Sequence, residues 1–208
     1  MAEEHFFVTG AMGCIGAWVV RNLVKDGSGV SVFDLSTDRH RLELIMDVEE
    51  LSRVQFIHGD LTESDAVAGA LKDSGSTHII HLGALQVPFC KADPPLGAAV
   101  NVVGTVNLFE AAIKADIGQL VYASSVGVYG PKDMYPGKLL QHDSPLYPIN
   151  HYGVYKQANE GSNTGFPRWI VCSTSTHHQL DVDCGLLVMT DVHNLSLIHI
   201  SAPTRRYA

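Results

Sequence analysis

The chain has 208 residues, enough for one well-packed core and at most a small additional element. Hydrophobic residues make up 46% of the sequence and charged residues 17%, which is typical of a compact α/β domain and excludes a disordered chain. The formal net charge is −8 and there is no basic cluster, so nucleic acid and anionic membrane surfaces are not expected as partners.

Strands and helices are predicted to alternate up to residue 161. Short apolar runs predict five strands, at 5–9, 30–33, 54–57, 77–82 and 120–123. Helical patterns lie between them, over about 14–25, 38–46 and 94–114, and from a start near 62–65. This alternation predicts an α/β fold with a doubly wound parallel sheet, and we assign one domain to residues 1–161.

The sequence changes character after Gly161. Residues 173–178 are polar and without periodicity, and no closing element can be assigned to 196–205, which resembles a translated sequencing-adapter read-through. We therefore interpret 162–208 as an aberrant or poorly ordered tail, and the alternative is a divergent natural terminus. On this interpretation the part of the fold that binds substrate is largely missing.

Cysteine spacing and the N-terminal sequence lead to an expectation about location. The four cysteines lie far apart, without a CxxC pair, at Cys14, Cys90, Cys172 and Cys184. Such spacing favours a reducing compartment. No signal peptide is expected, because an apolar strand follows Glu3-Glu4 at once, and no apolar run is expected to reach membrane-spanning length. A cytoplasmic location is therefore predicted.

A glycine-rich loop, Gly10-Ala11-Met12-Gly13-Cys14-Ile15-Gly16, follows the first strand and opens the first helix. Gly10 permits a tight turn, Gly13 lets the backbone approach a pyrophosphate, and Gly16 lets the helix pack closely on the sheet. The helix N-terminus supplies amide donors and partial positive charge. The loop therefore predicts a dinucleotide site.

Acidic residues at the ends of the next two strands strengthen this prediction. Asp34 can accept hydrogen bonds from both hydroxyls of the adenosine ribose and would repel a 2′-phosphate, which favours NAD over NADP. Arg39 and Arg41 lie nearby and keep NADP open, although on a charged helix they are expected to be solvated. Asp60, followed by Leu61, could accept from the adenine amino group or could be a neighbour of a helix N-cap.

A tyrosine and a lysine four residues apart, Tyr152 and Lys156, share one face of a predicted helix. A nearby ammonium and a positive nicotinamide ring would both favour the phenolate and lower the tyrosine pKa toward working pH. Ser125 supplies a hydroxyl at the carboxyl end of a strand, where ligands bind in such sheets. No metal site is predicted, because His78 and His81 face opposite sides of one strand.

Six segments together resemble the extended short-chain dehydrogenases/reductases, in particular the NAD-dependent epimerase/dehydratase family. They are TGAMGCIG at 9–16, the Asp34 position, GDL at 59–61, HLGA at 81–84, NVVGT at 101–105, and SSVGVYG at 124–130 with YGVYK at 152–156. The resemblance implies a Rossmann domain that binds NAD, with Ser125, Tyr152 and Lys156 as catalytic residues. It implies further cofactor contacts from Cys14, Ile15, Asp34, Asp60, Leu61, Gly83, Ala84 and Asn101. Asn101 could equally be structural.

Two departures from the family pattern refine the hypothesis. Family members run well beyond 208 residues, and their later half supplies most of the sugar-binding lid. Dehydratases carry an Asp-Glu pair just after the active-site hydroxyl, where this chain has Val126-Gly127. The absence of a carboxylate there argues for epimerase or dehydrogenase chemistry.

The sequence thus predicts an NAD-dependent epimerase or dehydrogenase that acts on a secondary alcohol of a nucleotide sugar. Hydride transfer would be assisted by the tyrosine, the lysine and the serine named above. The alternative is a truncated, catalytically silent NAD-binding fragment. The expected partner is a small-molecule substrate, and the resemblance implies a homodimer for the full-length family form.

Overall fold

The computed structural model describes residues 4–135, 144–162, 169–174 and 187–189, the last two ranges as strand backbone. The strands are β1 (His5–Thr9), β2 (Gly29–Asp34), β3 (Val54–His58), β4 (His78–His81), β5 (Gln119–Ser125), β6 (Trp169–Thr174) and β7 (Leu187–Met189). The α-helices are α1 (Cys14–Lys25), α2 (His40–Glu43), α3 (Val48–Ser52), α4 (Ser64–Ser74), α5 (Val87–Ala92), α6 (Pro94–Ala98), α7 (Gly104–Lys114) and α8 (His151–Gly161).

The strands form one sheet in the order β3-β2-β1-β4-β5-β6-β7. Neighbouring strands from β3 to β6 pair in parallel, and β7 pairs antiparallel with β6. In the middle of the sheet Val8 lies opposite both Val32 and Ile80. The strand order reverses between β1 and β4, so the predicted doubly wound parallel sheet is confirmed.

Alternate residues of the strands enter two separate cores, one on each face of the sheet. The core on the α1 side combines apolar strand residues such as Val8 and Val32 with the buried face of α1. The opposite core combines Phe7 and Ile79 with the buried faces of α4 and α7. Because both faces are covered, consecutive residues of the central strands are buried and most of them are apolar, as is usual for parallel strands.

Three helical regions differ from the prediction. The sequence predicts one helix over 38–46, whereas α2 covers only His40–Glu43. A separate helix that is not predicted, α3, begins after Asp47, which caps it through a capping box with Glu50. Helix α5 is not predicted. The predicted helix 94–114 is present, but a π-helical segment, Ala99–Val103, interrupts it.

Strands β6 and β7 lie after Gly161, where the sequence predicts no element. β6 extends the parallel sheet beyond β5, and β7 adds an antiparallel strand next to β6. The other residues of 162–208, apart from Ser162, lie outside the described part of the chain. The interpretation of this range as an aberrant tail therefore stays a prediction.

The helical stretch from Pro94 to Lys114, including the π-helical segment, has 21 residues, and an 18-residue window within it has a mean hydropathy of 1.5. By length and composition it could cross a membrane, so the expectation that no apolar run reaches that length is wrong. In this fold its apolarity has another cause, because Leu108, Phe109 and Ala112 are buried against the sheet. Length and composition alone do not distinguish such a core helix from a membrane span.

A chain of buried hydrogen bonds joins the carboxyl ends of β1 and β4 to the long helix. The Thr105 hydroxyl donates to the Asn101 carbonyl at 2.8 Å, so its oxygen accepts from His81 Nε2 at 2.9 Å. His81 Nδ1 then accepts from the Thr9 hydroxyl at 2.6 Å, and Thr9 accepts from Gly83 N–H at 3.1 Å. This pattern needs a neutral His81, and burial lowers the pKa of its imidazole to about 3.

Acid should destabilise the fold through His81. In the unfolded chain this histidine binds a proton below about pH 6.5, whereas the folded protein resists protonation down to about pH 3. Between these values the unfolded state binds more protons, so stability falls as pH falls, by up to about 1.4 kcal/mol per pH unit. We expect His81→Gln to flatten the dependence of the unfolding free energy on pH in this window, measured by urea denaturation.

The matched control is His58→Gln, which removes an exposed histidine at the end of β3. An unchanged pH slope in His81→Gln, or an equal change in both variants, would contradict the role assigned to the buried imidazole.

Candidate active site

The carboxyl ends of the strands border a cleft with a volume of about 730 Å³. Its walls include the segments that follow β1 and β4, where the strand order reverses, which is where open α/β sheets bind ligands. Twelve predicted site residues line the cleft, namely Gly10, Gly13, Cys14, Ile15, Gly16, Asp34, Asp60, Leu61, Gly83, Ala84, Tyr152 and Lys156. Ser125 and Asn101 are not among its lining residues.

The glycine loop has the geometry that its sequence predicts. Gly10 has a φ of +71°, and a Cβ there would lie 2.6 Å from the Gly83 backbone. A Cβ at Gly16 would lie 2.3 Å from the Gly10 carbonyl oxygen, so only glycine lets α1 pack this closely. A Cβ at Gly13 would lie 3.2 Å from the Gly10 carbonyl oxygen. Packing within the protein therefore excludes a side chain less strictly at Gly13 than at Gly10 or Gly16.

The N-terminus of α1 is open toward the cleft. Gly13 is the N-cap residue, no side chain caps the helix, and the first turn contains no acidic residue. Cys14 and Ile15, whose amides belong to this first turn, line the cleft. Uncapped amides and the helix dipole together favour an anionic ligand group at this position.

Asp34 ends β2 and supports the glycine loop. Its Oδ2 accepts from Met12 N–H at 3.0 Å and its Oδ1 accepts from Ser36 N–H at 2.9 Å. A carboxylate oxygen can accept more than one hydrogen bond, so both oxygens keep capacity for the hydroxyls of a ribose.

The two arginines near Asp34 are exposed, as the sequence predicts, and each also contacts the protein. Arg41 Nη1 donates to the Met12 carbonyl at 3.1 Å and lines the cleft. The Arg39 guanidinium lies 3.7 Å from the centroid of the Phe56 ring, within the range of a cation–π contact. Both cations therefore have partners in the protein, and Arg41 braces the peptide whose N–H binds Asp34.

Asp60 and Asn101 make local hydrogen bonds. Asp60 Oδ1 accepts from both the amide and the hydroxyl of Thr62, at 2.8 and 2.9 Å, so Asp60 forms a turn while it lines the cleft. Asn101 Oδ1 accepts from Leu85 N–H at 2.7 Å, and its Nδ2 donates to the Leu85 carbonyl at 2.8 Å. These bonds favour the structural alternative for Asn101, and cofactor contacts from both residues stay predictions.

Helix α8 carries Tyr152 to the end of β5 because of a glycine. A Cβ at Gly153 would lie 2.1 Å from the Gly127 carbonyl oxygen, so any larger residue would push the helix away. This close approach brings the Tyr152 ring next to Ser125, whose Oγ accepts from Gly127 N–H at 3.1 Å. Gly153 is not among the predicted site residues, although its place inside the YGVYK motif is a signal for it.

Lys156 lies beneath the cleft with its ammonium buried. Its side chain is fully enclosed apart from the surface it presents to the cleft, with the residue 3% exposed. Nζ donates to the Ala123 carbonyl at 2.6 Å, which is its one hydrogen bond within the described residues. Burial lowers the pKa of the Lys156 ammonium to about 8, against the opposing effects of Cys90 and Glu160. Two N–H groups of the charged form thus remain for a ligand.

The predicted lowering of the Tyr152 pKa is not found in the protein alone. Burial raises the pKa of the phenol above its usual value, and the hydrogen bond with Ser125 opposes this only in part. The expectation assumed an ammonium beside the phenol, whereas Lys156 is bonded to Ala123 and lies 5.6 Å from the centroid of the Tyr152 ring. The protein's own groups therefore favour the protonated phenol.

A partly buried carboxyl group, that of Glu160, lies one turn beyond Lys156. Ser124, which lines the cleft, donates a short hydrogen bond to the Glu160 carboxylate, and burial raises the pKa of that carboxyl. Sequence reasoning does not single out Glu160. The available signal is its spacing of four residues from Lys156, which puts both side chains on one face of α8.

Comparison with known proteins gives a family match over most of the chain. The model of the NAD dependent epimerase/dehydratase family matches residues 6–165. The UDP-glucose 4-epimerase of Mycolicibacterium smegmatis is 39% identical over 156 residues, which are 74% of this chain and 48% of that protein. The UDP-glucose 4-epimerase of Lactobacillus helveticus is 32% identical over 154 residues, which are 74% and 44%.

Solved structures agree with the sequence relatives. The structure of the UDP-glucose 4-epimerase of Thermus thermophilus in complex with NAD has a TM-score of 0.67 and 28% identity. The match covers 80% of this chain and 53% of that one. The chain therefore spans about half the length of the relatives that it matches.

Proposed function

Because the chain belongs to the NAD dependent epimerase/dehydratase family, we propose that its cleft binds NAD and that it supplies the catalytic half of a nucleotide-sugar 4-epimerase. The observation that carries this proposal is a single cleft lined by the glycine loop, Asp34, Tyr152 and Lys156. UDP-glucose 4-epimerases among the relatives make a UDP-hexose the first substrate to test.

The lining residues fit NAD from one end to the other. The open N-terminus of α1, with Gly13 at its head, suits a pyrophosphate. Asp34 retains acceptor capacity for ribose hydroxyls at one side of the loop, and Lys156 retains N–H donors at the catalytic side. When bound, NAD supplies the oxidant that takes two electrons from the alcohol carbon of the sugar.

The chain's own residues handle the proton of the sugar hydroxyl. Tyr152, which lines the cleft, and Ser125, which lies next to it, are the groups that would hold the substrate oxygen. Tyr152 would accept the hydroxyl proton as phenolate and return it as phenol. Because burial favours the phenol in the protein alone, the phenolate depends on the positive charge of Lys156 and of the bound nicotinamide ring. Lys156 is charged below about pH 8 and adds positive charge 5.6 Å from the Tyr152 ring.

The second candidate function is NAD binding without turnover. The chain spans about half the length of the relatives it matches. Binding of NAD together with no turnover of any sugar nucleotide, even when the second half of a relative is joined to the chain, would select this alternative.

The chain should bind NAD at least about tenfold more tightly than NADP, because the Asp34 carboxylate repels a 2′-phosphate. Isothermal titration calorimetry with both dinucleotides measures the ratio. In Asp34→Asn the ratio should fall toward one, whereas Asp38→Asn, which removes an exposed carboxylate outside the cleft, should keep it. Equal or tighter binding of NADP by the unaltered chain would mean that Arg39 or Arg41 overrides Asp34.

Turnover should depend on the Tyr152 hydroxyl. A chimera joins residues 1–161 to the second half of the Mycolicibacterium smegmatis relative, and epimerisation of UDP-glucose is followed in it. Tyr152→Phe keeps the ring and removes the proton donor, so kcat should fall by at least about a hundredfold while NAD affinity stays within about twofold.

The control variant is Tyr155→Phe on the same helix. The Tyr155 hydroxyl donates to the Pro94 carbonyl and does not line the cleft, so its loss should spare kcat. Near-normal turnover in Tyr152→Phe would end the catalytic assignment.

A further inference from the structure

Two tyrosine rings flank the buried ammonium of Lys156. Nζ lies 4.7 Å from the centroid of the Tyr122 ring and 5.6 Å from that of the Tyr152 ring. Both distances are within the range in which the negative face of an aromatic ring attracts a cation. Tyr152 has a role in the proposed proton transfer, whereas Tyr122 has none and does not line the cleft.

The Tyr122 ring is held in a fixed orientation. It is buried on β5, and its hydroxyl accepts from Asn159 Nδ2 at 2.9 Å. Its ring packs at 5.6 Å from His81 and edge-on at 6.3 Å from Phe109. Because Asn159 lies one turn after Lys156, α8 binds the hydroxyl end of the ring with one residue and covers the ring face with the other.

The Tyr122 ring face supplements the hydrogen bonding of the Lys156 ammonium, which the protein satisfies only in part. The one hydrogen bond of the ammonium within the described residues goes to Ala123, the neighbour of Tyr122 on the same strand. Strand β5 thus offers the cation a carbonyl oxygen and a ring face from adjacent residues. A desolvated cation gains more from a ring face than an exposed one does.

We propose that Tyr122 is a positioning residue whose ring face holds the Lys156 ammonium at the floor of the cleft, with its free N–H groups available to the ligand. The proposal deepens the function proposed above, because it concerns the same lysine. Four other titratable groups act on or respond to this ammonium: Cys90 of α5, His81 of β4, and Tyr152 and Glu160 of α8.

The test weakens the ring face without changing its shape. Phenylalanine and its di- and trifluorinated analogues are incorporated at position 122 of the full chain, since added fluorine reduces the negative potential of the ring. The ionisation of Lys156 is followed by NMR of labelled lysine side chains, with Lys156→Met for assignment. The Lys156 pKa should fall stepwise along the series, by about one unit in total, which is a tenfold increase in the acid dissociation constant.

The same series at Phe109 is the matched control. Phe109 touches the Tyr122 ring and is buried in the same core, so its fluorination tests for unspecific effects of core substitution. If phenylalanine at position 122 prevents folding, fluorinated tyrosines keep the hydroxyl bond to Asn159 and serve instead. A Lys156 pKa that stays constant along the series, or that falls equally with Phe109, would overturn the proposal.

A second readout separates this proposal from the proposed function. NAD affinity should weaken as pH rises through the Lys156 pKa, and the midpoint of that decline should move down along the fluorinated series. If no variant, including the unaltered chain, binds NAD, the proposed function fails, while the Lys156 pKa series still decides the role of Tyr122.

Discussion

Hydrogen bonds between polar side chains buried under the carboxyl edge of the sheet tie β1 and β4 to the helices α7 and α8. One chain of hydrogen bonds runs from Thr9 through His81 to Thr105 and the Asn101 carbonyl. Asn159 Nδ2 also binds that carbonyl, at 2.6 Å, and so links the network to α8. Asn159 Oδ1 is the one buried side-chain polar atom left without a partner in the described part of the chain. Because of these linked hydrogen bonds, a movement of α8 would disturb the carboxyl ends of β1 and β4.

The glycine loop meets a similar constraint from the backbone side. Gly10 and Gly16 allow three segments to approach one another so closely that no side chain fits between them. The Met12 peptide between them is held from both sides, with its N–H on Asp34 and its carbonyl on Arg41. The residues that are predicted to contact the ligand thus also fix the shape of the loop.

The sequence predicts the strands β1 to β5 and places 12 of its predicted site residues on the cleft, because both predictions depend on local patterns. Short apolar runs between helical patterns predict the strands. The spacing of Gly10, Gly13 and Gly16 after the first strand predicts the glycine loop. The sequence does not predict the π-helical segment or the separate helix α3. Both depend on caps and packing, which hydrophobic periodicity does not reveal. The predicted lowering of the Tyr152 pKa is not found in the protein alone. Burial and the direction in which the Lys156 side chain points are tertiary properties, which the sequence does not reveal.

A crystal structure of the chain grown with NAD tests the central claim most directly. The account predicts a dinucleotide along the carboxyl edge of the sheet, with its pyrophosphate at the N-terminus of α1, one ribose on Asp34 and the other on Lys156. A dinucleotide bound elsewhere, or a cleft that stays empty in the presence of NAD, would contradict it.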